Sequence, residues 1–161
     1  MAFVMWRSAT SGLSIAVLTA FATLQPSPAT AVCLDPTTGI SGYKIPLAVE
    51  IRASRAIVIG RVTSERPLRE DASDPDGISA YVYTFEVSRV LKGRVPALIM
   101  LRAQNDSGGY RMSVGERHLL FLSKPASYFE ADSCGNATEL PRGDLTVRKV
   151  EDQLAGRAKP P

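Results

Sequence analysis

The sequence contains little of what most metal and acid–base sites need. It has one histidine and two cysteines, and two sulfurs with one imidazole make a poor ligand set for zinc. The formal net charge is only +3, whereas a nucleic-acid-binding domain concentrates lysine and arginine on one face. After residue 31 no apolar run reaches the roughly 20 residues that a membrane span needs. We therefore expect no metal, no cofactor and no nucleic-acid partner.

Residues 1–31 have the composition of a secretory signal peptide. Arg7 is their one charged residue, residues 13–24 are mostly apolar, and residues 29–31 supply the small side chains that cleavage after Ala31 needs. An uncleaved membrane anchor is the alternative, but the apolar stretch is shorter than the roughly 20 residues of a span. We predict export, to the periplasm or the extracellular space, with no membrane segment left after cleavage.

The mature chain is predicted to be one domain over residues 32–155, followed by a disordered tail at 156–161. Both cysteines, Cys33 and Cys134, lie in this domain. Two thiols in an oxidising compartment most simply form one disulfide. A bond that closes so long a loop stabilises the fold by roughly 4–5 kcal/mol in the chain-entropy model. We expect a monomer.

The clearest strand pattern lies at residues 81–93. Tyr81, Tyr83, Phe85 and Val87 alternate with mostly polar residues, which is typical of a strand with one buried face. We interpret the aromatic side chains as core. A platform on which nucleic-acid bases stack is the alternative interpretation.

Other segments complete a five-stranded domain with two helices. Residues 56–62 are a β-branched run typical of a strand buried on both faces, and Gly60 within it predicts a bulge or a close backbone approach. The polar residues 65–78 are predicted to be a long mobile connection. Further strands are expected at residues 97–102, 117–123 and 128–132, with a last pairing in the segment after Cys134. Helices are expected at residues 46–54 and 144–155.

The fold class predicted from these elements is all-β, with short helices near the N-terminus and at the C-terminus. Five short antiparallel strands close most easily into a small barrel of the OB type, because closure removes exposed edges. Asp144 is the predicted N-cap of the last helix, and Gly156 is predicted to end it.

Five pieces of the sequence stand in an order found in a known family. They are a cysteine near the mature N-terminus, two strand segments, a Val-Gly-Glu-Arg strand start and a late cysteine segment: Cys33, residues 53–62, residues 83–93, residues 114–121 and residues 133–140. This order resembles the netrin-like, TIMP-like (tissue inhibitor of metalloproteinases) family in its bacterial form. The resemblance implies an OB-type barrel of five strands with flanking helices.

The resemblance also implies one possible activity. In the animal inhibitors of this family, the amine and carbonyl of an N-terminal cysteine chelate the zinc of a protease. Cys33 is the residue that would inherit this role. It would have to be the first residue of the mature chain, whereas the predicted cleavage leaves Val32 ahead of it.

Several polar features receive a structural interpretation. His118 has no obvious catalytic partner, so we expect a structural or surface role. The acidic stretch between residues 65 and 76 is interpreted as a solvated loop rather than a calcium site. Residues 142–144 (Arg-Gly-Asp) are interpreted as a turn rather than an adhesion motif, and Asn105 and Asn136 begin formal glycosylation sequons. The acidic residues are Glu65, Glu70, Asp71, Asp74 and Asp76.

These observations favour an exported, non-enzymatic domain that binds an unidentified protein. Residues 65–78 and 104–110 are the expected contact surfaces, because loops on rigid scaffolds carry recognition. One alternative is a metalloprotease inhibitor that acts through Cys33. Another is an enzyme with a cleft assembled from distant residues, which requires a pocket around His118 or a cluster of carboxylates.

Overall fold

The computed structural model describes residues 33–75, 77–106, 108–123 and 127–156. Within these residues the chain forms five strands and two helices, as predicted. The strands make one antiparallel sheet in the order β3–β2–β1–β4–β5. The predicted signal peptide and most of the predicted tail lie outside the described residues. The elements are α1 Leu47–Ala53, β1 Ala56–Leu68, β2 Ala80–Lys92, β3 Leu98–Gln104, β4 Arg117–Leu122, β5 Thr138–Leu140 and α2 Asp144–Leu154.

Strand β1 is the centre of the sheet. It pairs with β2 along most of its length, and its first part, from Ala56 to Arg61, also pairs with β4. Residues 56–60 and Val62 of the β-branched run are buried, as predicted, whereas Arg61 is exposed. Gly60 lies at a register shift, and a Cβ there would collide with the Glu86 carbonyl oxygen and the Phe85 ring. The predicted bulge and close approach are therefore both confirmed.

The two faces of the sheet hold separate apolar clusters. The inner cluster contains the aromatic side chains of β2, with Tyr83 and Phe85 fully buried, so their interpretation as core is confirmed. The outer cluster is covered by the helices: Ile51 of α1 and Val150 of α2 pack on Ile57, Ile59, Leu119 and Phe121. Helix α1 begins after Pro46, as predicted.

Strand β1 is longer than predicted, because it continues through Leu68. Residues 65–68 were expected in a mobile connection, but they pair with residues 80–83 of β2. Pro67 is accommodated because this end of β1 is not paired with β4, so its missing N–H breaks no ladder on that side. The polar side chains that suggested a loop, Glu65 and Arg66, are both exposed.

Residues 128–132, predicted as a short fifth strand, do not form a strand element. The last strand, β5, lies at Thr138–Leu140, in the segment after Cys134 where a last pairing was predicted. The earlier segment forms only single bridges: Phe129 pairs in parallel with Leu101 of β3, and Glu130 pairs antiparallel with Ser123 just after β4. Strands β3 and β5 are the two edges of the hydrogen-bonded sheet, which is open rather than a closed barrel.

Helix α2 begins differently from the prediction. Gly143 occupies the N-cap position without a side-chain cap, and Asp144 is the first helical residue. Gly143 is buried, and a Cβ there would collide with Thr138, so the turn needs glycine where a capping side chain was expected. Gly156 follows the helix with a positive φ of 68°, as predicted for its end. No helix in the described part of the chain is long and apolar enough to cross a membrane.

Candidate functional site

The first candidate region is a short N-terminal hairpin, residues 33–43. Cys33 and Cys134 form the predicted disulfide at its base, with the Cα atoms 5.5 Å apart. Leu34 and Ser41 form a bridge between its two arms. At the tip, Asp35 Oδ1 accepts hydrogen bonds from the backbone N–H groups of Thr37 and Thr38, each at 2.8 Å. The hairpin is therefore tied at its base and ordered at its tip.

The N-terminal hairpin exposes two large apolar side chains. Leu34 is 56% exposed on one arm and Ile40 is 68% exposed on the other. The backbone N–H groups of Thr38 and Thr37 lower the pKa of the Asp35 carboxyl at the tip, so the turn carries a negative charge at neutral pH. The hairpin thus presents apolar side chains on an ordered backbone, which is an arrangement suited to protein contact.

The Cys33 carbonyl, which the family resemblance marks as a zinc ligand, is already engaged. It accepts hydrogen bonds from the N–H groups of Gly42 at 2.8 Å and Tyr43 at 3.0 Å. A carbonyl oxygen has two lone pairs, and both are directed into the N-terminal hairpin. Chelation of a metal through this oxygen would require the hairpin to open.

Helix α1 is linked to the late cysteine segment by a buried carboxylate. Glu50 is 6% exposed, and its Oε2 accepts hydrogen bonds from the Asn136 backbone N–H at 2.7 Å and from Asn136 Nδ2 at 2.6 Å. Burial raises the pKa of Glu50 against these hydrogen bonds. We call the set Cys33, Cys134, Glu50 and Asn136 the disulfide corner.

Asn136, which begins one of the two sequons, has no free side-chain amide. Its Nδ2 donates to the Ile45 carbonyl as well as to Glu50. A glycan on this nitrogen would break both contacts, so the folded chain offers no acceptor there. The side-chain Nδ2 of Asn105, which begins the other sequon, donates a hydrogen bond to the Ile78 carbonyl. Unlike Asn136, Asn105 is exposed.

The second candidate region surrounds His118, which is 2% exposed at the start of β4. Both ring nitrogens have side-chain partners: Nδ1 lies 3.0 Å from Tyr110 Oη, and Nε2 lies 3.2 Å from Glu116 Oε2. The expected structural role is consistent with these contacts, but the expected lack of a titratable partner was wrong. Glu116 stands only two residues before His118, in the Val-Gly-Glu-Arg segment that was considered only as a strand start.

The turn before β4 explains why Glu116 points inward. Its Oε2 also accepts a hydrogen bond from the Ser113 N–H at 2.7 Å, and its own N–H bonds back to the Ser113 carbonyl. Gly115 has a positive φ of 92° inside this turn, a conformation that glycine adopts without strain. The tight turn folds the Glu116 carboxylate back toward the Nε2 edge of the His118 ring.

The electrostatics of this group favour one protonation state. Burial lowers the pKa of His118, and the Glu116 carboxylate opposes this only in part. Burial raises the pKa of Glu116, but the hydrogen bonds from Ser113 and His118 outweigh it, so the net shift is downward. Burial, reinforced by Glu116 and Glu139, raises the pKa of Tyr110. At neutral pH the group is a phenol, a neutral imidazole and a carboxylate.

These three side chains border a pocket of about 540 Å³, which we call the histidine pocket. Its walls come from the end of β1, from the segment before β4 and from β5 with the turn that follows. The alternative of an enzyme with a cleft assembled from distant residues requires a pocket around His118, and this pocket is in that position. The lining residues are Glu65, Tyr110, Arg111, Met112, Ser113, Glu116, His118, Ala137, Thr138, Glu139 and Arg142.

The two loops predicted as contact surfaces lie side by side. The Asn105 N–H bonds to the Ser79 carbonyl, and Glu70 forms an ion pair with Arg102 of β3. Asp71 and Asp74 accept hydrogen bonds inside their own turns. Asp76 lies outside the described residues. Within the described ranges, no group of three or more His, Cys, Asp or Glu side chains is arranged so that it could hold a metal ion.

Arg142 and Gly143 of the Arg-Gly-Asp residues lie in the β5–α2 turn, and Asp144 is the first residue of α2. Arg142 lies at the rim of the histidine pocket and pairs with Glu139 at 3.1 Å.

No family model matches the chain, and no curated protein is significantly similar to it. The family resemblance therefore stays a prediction, and the geometry of the N-terminal hairpin and the histidine pocket carries the functional argument.

Proposed function

We propose that the chain is an exported, non-enzymatic domain that binds another protein through its N-terminal hairpin. The observation that carries the proposal is the exposure of Leu34 and Ile40 on a hairpin fixed by the disulfide. A preordered contact loses little conformational entropy on binding, and exposed apolar side chains on such a contact mark an interaction surface.

We further propose that the domain is an OB-type barrel of the TIMP-like kind. The single bridges of Phe129 to β3 and of Glu130 to the end of β4 support this fold, because they connect strands that are not neighbours in the open sheet. A short parallel contact of this kind would close the barrel. The hydrogen bonds to the Cys33 carbonyl weigh against the zinc-chelating activity of the family's animal inhibitors.

The non-enzymatic part of the proposal is supported by the state of His118. Both its ring nitrogens are hydrogen-bonded, and its side chain is only 3% exposed. A general base needs a nitrogen within reach of a substrate proton. The enzyme alternative would be favoured if the purified secreted chain lost a hydrolytic activity on replacement of His118.

Export is tested by the intact mass of the secreted protein with and without reduction and alkylation. We expect a mass that begins at Val32 and contains no free thiol. A disulfide-bonded chain is compatible with export. A mass that includes residues 1–31 would contradict cleavage, and a mass that begins at Cys33 would return the chelating alternative to consideration.

Partner binding is tested with two double variants in the cells that secrete the protein. Leu34→Ser with Ile40→Ser removes the apolar side chains of the hairpin. Leu98→Ser with Leu145→Ser is the matched control, because these side chains are similarly exposed, at 58% and 61%. We expect chemical cross-linking to recover a complex with the wild type and the control but not with the hairpin variant. Equal recovery with both variants, or no discrete complex with the wild type, would overturn the proposal.

A further inference from the structure

We propose that the Cys33–Cys134 disulfide is a redox switch for the N-terminal hairpin. Reduction by a small or protein-borne dithiol releases the hairpin from the domain, and the partner is then bound less tightly, while the sheet stays folded. This inference rests on the proposed function, because it concerns the regulation of the same hairpin. Release of the hairpin and binding of the partner are measured separately, so the two proposals can fail separately.

The disulfide is the cross-link that attaches the hairpin to the rest of the domain. Among the described residues, the hydrogen bonds of residues 33–43 stay inside the hairpin. Neither apolar cluster of the sheet includes a described residue of the hairpin. The other link is the chain itself, which continues through Lys44 to Ile45. Without the bond between the two sulfurs, the hairpin is therefore joined to the domain at one end only.

The hairpin depends on this bond for its order. Its two arms share one bridge, between Leu34 and Ser41, and an isolated two-stranded hairpin is at best marginally stable in water. The predicted cleavage after Ala31 would place the first arm at the end of the chain, and chain ends are poorly ordered unless something ties them down. For this arm, the bond at Cys33 does so.

The other cysteine is held by contacts that do not involve its sulfur. The Cys134 N–H donates to Asp132 Oδ1 at 2.8 Å, and the Cys134 carbonyl accepts a hydrogen bond from the Ile45 N–H at 3.0 Å. Close by in the chain, Asn136 donates to Glu50 through its backbone and its side chain. Reduction therefore frees the arm that carries the first cysteine and leaves Cys134 attached beside α1.

The sheet and its apolar clusters have no direct contact with the disulfide. Both clusters are built from other side chains, and neither includes a cysteine. Strand β5, the first strand after Cys134, pairs with β4 through its own backbone. Loss of the covalent link lowers the stability of the whole domain through the unfolded chain, but the native contact that it removes is the one that holds the hairpin.

The chemistry of the switch is a thiol–disulfide exchange in two steps. A thiolate of the dithiol attacks one sulfur of the bond, which forms a mixed disulfide and releases the other sulfur as a thiolate that takes up a proton. The second thiolate of the reductant then attacks the mixed disulfide and joins its own two sulfurs. The chain gains two electrons and two protons, and the dithiol loses them. Cys33 and Cys134 are only half-buried, so a thiolate can approach the bond from solvent.

Release of the hairpin weakens binding because its order must then be restored. Leu34 follows Cys33 directly, so one of the two apolar side chains of the proposed contact is fixed next to the bond. In the oxidised chain this contact is preordered, whereas the reduced hairpin loses conformational entropy each time it binds. The coupling is reciprocal: a partner that prefers the oxidised hairpin also protects the bond from reduction.

The first measurement follows the hairpin by amide hydrogen exchange in NMR spectra of the purified secreted protein, with dithiothreitol as the dithiol. The reporters are the N–H groups of Gly42 and Tyr43, which donate to the Cys33 carbonyl. On reduction we expect them to lose protection and to exchange at least about tenfold faster, and to recover when the bond is re-formed. The Val62 N–H, which donates to the Glu116 carbonyl in the sheet, should stay protected.

Two variants separate release of the hairpin from a general loss of stability. Cys33→Ser with Cys134→Ser opens the hairpin without any reductant, and dithiothreitol should not change it further. Val150→Ala weakens the outer cluster, in which Val150 is fully buried, but it keeps the disulfide. We expect Gly42 and Tyr43 to exchange fast in the double serine variant and slowly in oxidised Val150→Ala.

The second measurement is the recovery of the cross-linked complex from cells that secrete the wild type, the double serine variant or Val150→Ala. These cells receive no reductant, so disulfides of the partner are not disturbed. We expect the serine variant to recover about tenfold less complex than the other two, because its two apolar side chains must be ordered again on binding.

Several outcomes would overturn the switch. Unchanged exchange at Gly42 and Tyr43 on reduction would do so, and so would loss of protection at Val62, because the domain would then unfold as a whole. Equal recovery of the complex by the wild type and the serine variant would also overturn it, and the hairpin would remain the proposed contact. No discrete complex with the wild type would instead contradict the proposed function, and the exchange data would still decide whether reduction releases the hairpin.

Discussion

The disulfide corner and the histidine pocket each contain a buried ionisable side chain, and burial acts on the two in opposite directions. It raises the pKa of Glu50 and lowers the pKa of His118, so the neutral form is favoured in both places. Glu50 is enclosed by the amides of Asn136, whereas His118 contacts groups that border an open pocket. The same desolvation therefore acts on a carboxyl enclosed by hydrogen bonds in one region and on an imidazole beside a pocket in the other.

The two regions share one segment of chain. Cys134 and Asn136 belong to the disulfide corner, and Thr138 and Glu139, a few residues later, form a wall of the histidine pocket. The position of β5 therefore depends on the disulfide corner. Loosening the corner should disturb the pocket, while changes in the pocket should leave the corner intact.

The largest expected effect comes from removal of the disulfide. Cys33→Ser with Cys134→Ser opens a loop with a sequence separation of 101 residues, and the free energy of unfolding should fall by about 4–5 kcal/mol. Urea titration of the variant and of the wild type measures the loss. Reduced wild-type protein is the control and should lose the same amount; a loss below about 1 kcal/mol would contradict the role assigned to the bond.

The next effect concerns the buried carboxylate of the corner. Asn136→Ala removes the side-chain donor of Glu50 and leaves only the backbone N–H of residue 136, which should lower the free energy of unfolding by about 1.5–3 kcal/mol at neutral pH. Adding Glu50→Gln removes the buried charge and should restore part of the loss. If the double variant is no more stable than Asn136→Ala, the weakened pairing of the buried charge is not the cause.

The pH dependence of the corner has a definite sign. The folded pKa of Glu50 is raised above 4.5, so the folded state binds the proton more tightly than the unfolded state does. Its contribution to stability is present below 4.5 and is lost as the pH rises through the folded pKa. Glu50→Gln alone should remove this dependence, as measured by urea titrations between pH 4 and 8.

A smaller effect is expected where α1 ends. Lys92 Nζ donates to the carbonyls of Ile51, Arg52 and Ser54 at the C-terminus of the helix that carries Glu50. Lys92→Met should lower the free energy of unfolding by about 1–2 kcal/mol. Lys149→Met, an exposed position on α2, should change it little. Equal effects of the two variants would contradict the capping role.

Most of the fold could be predicted because its signals are local. The alternation around Tyr83 and the β-branched run before Gly60 identify β2 and β1, and two cysteines leave one intramolecular pairing. The end of β1 was missed because Pro67 and its polar neighbours look like a loop when the partner strand is unknown. A last pairing was expected in the segment after Cys134, where β5 lies, but three residues carry too little pattern to predict the bounds of a strand.

The candidate site was harder to predict because it depends on contacts between separate segments. Glu116 lies close to His118 in sequence, but only the Ser113 turn directs its carboxylate toward the Nε2 edge of the ring. Tyr110 contributes through a loop, and Glu139 through the short β5. The exposure of Leu34 and Ile40 has no periodic signal, because the N-terminal hairpin is held by the disulfide and by Asp35 rather than by a regular strand pattern.

The smallest expected effect concerns the stability contributed by His118. Its folded pKa is lowered from 6.5, so its contribution is present above 6.5 and is lost as the pH falls toward the folded pKa. The charged groups facing it are Glu116 and Glu139. His118→Gln should flatten the acid side of the stability profile by less than any change above. A profile as steep as that of the wild type would assign the acid sensitivity to other groups.

The most direct test of the comparison is an NMR pH titration of the single imidazole in the free protein. Burial as the dominant influence on His118 predicts a midpoint below 6.5. It also predicts that the midpoint rises toward that value when Cys33→Ser with Cys134→Ser loosens the wall of the pocket. A midpoint at or above 6.5 in the wild type would mean that the Glu116 carboxylate outweighs burial, and the two regions would then not share one physical cause.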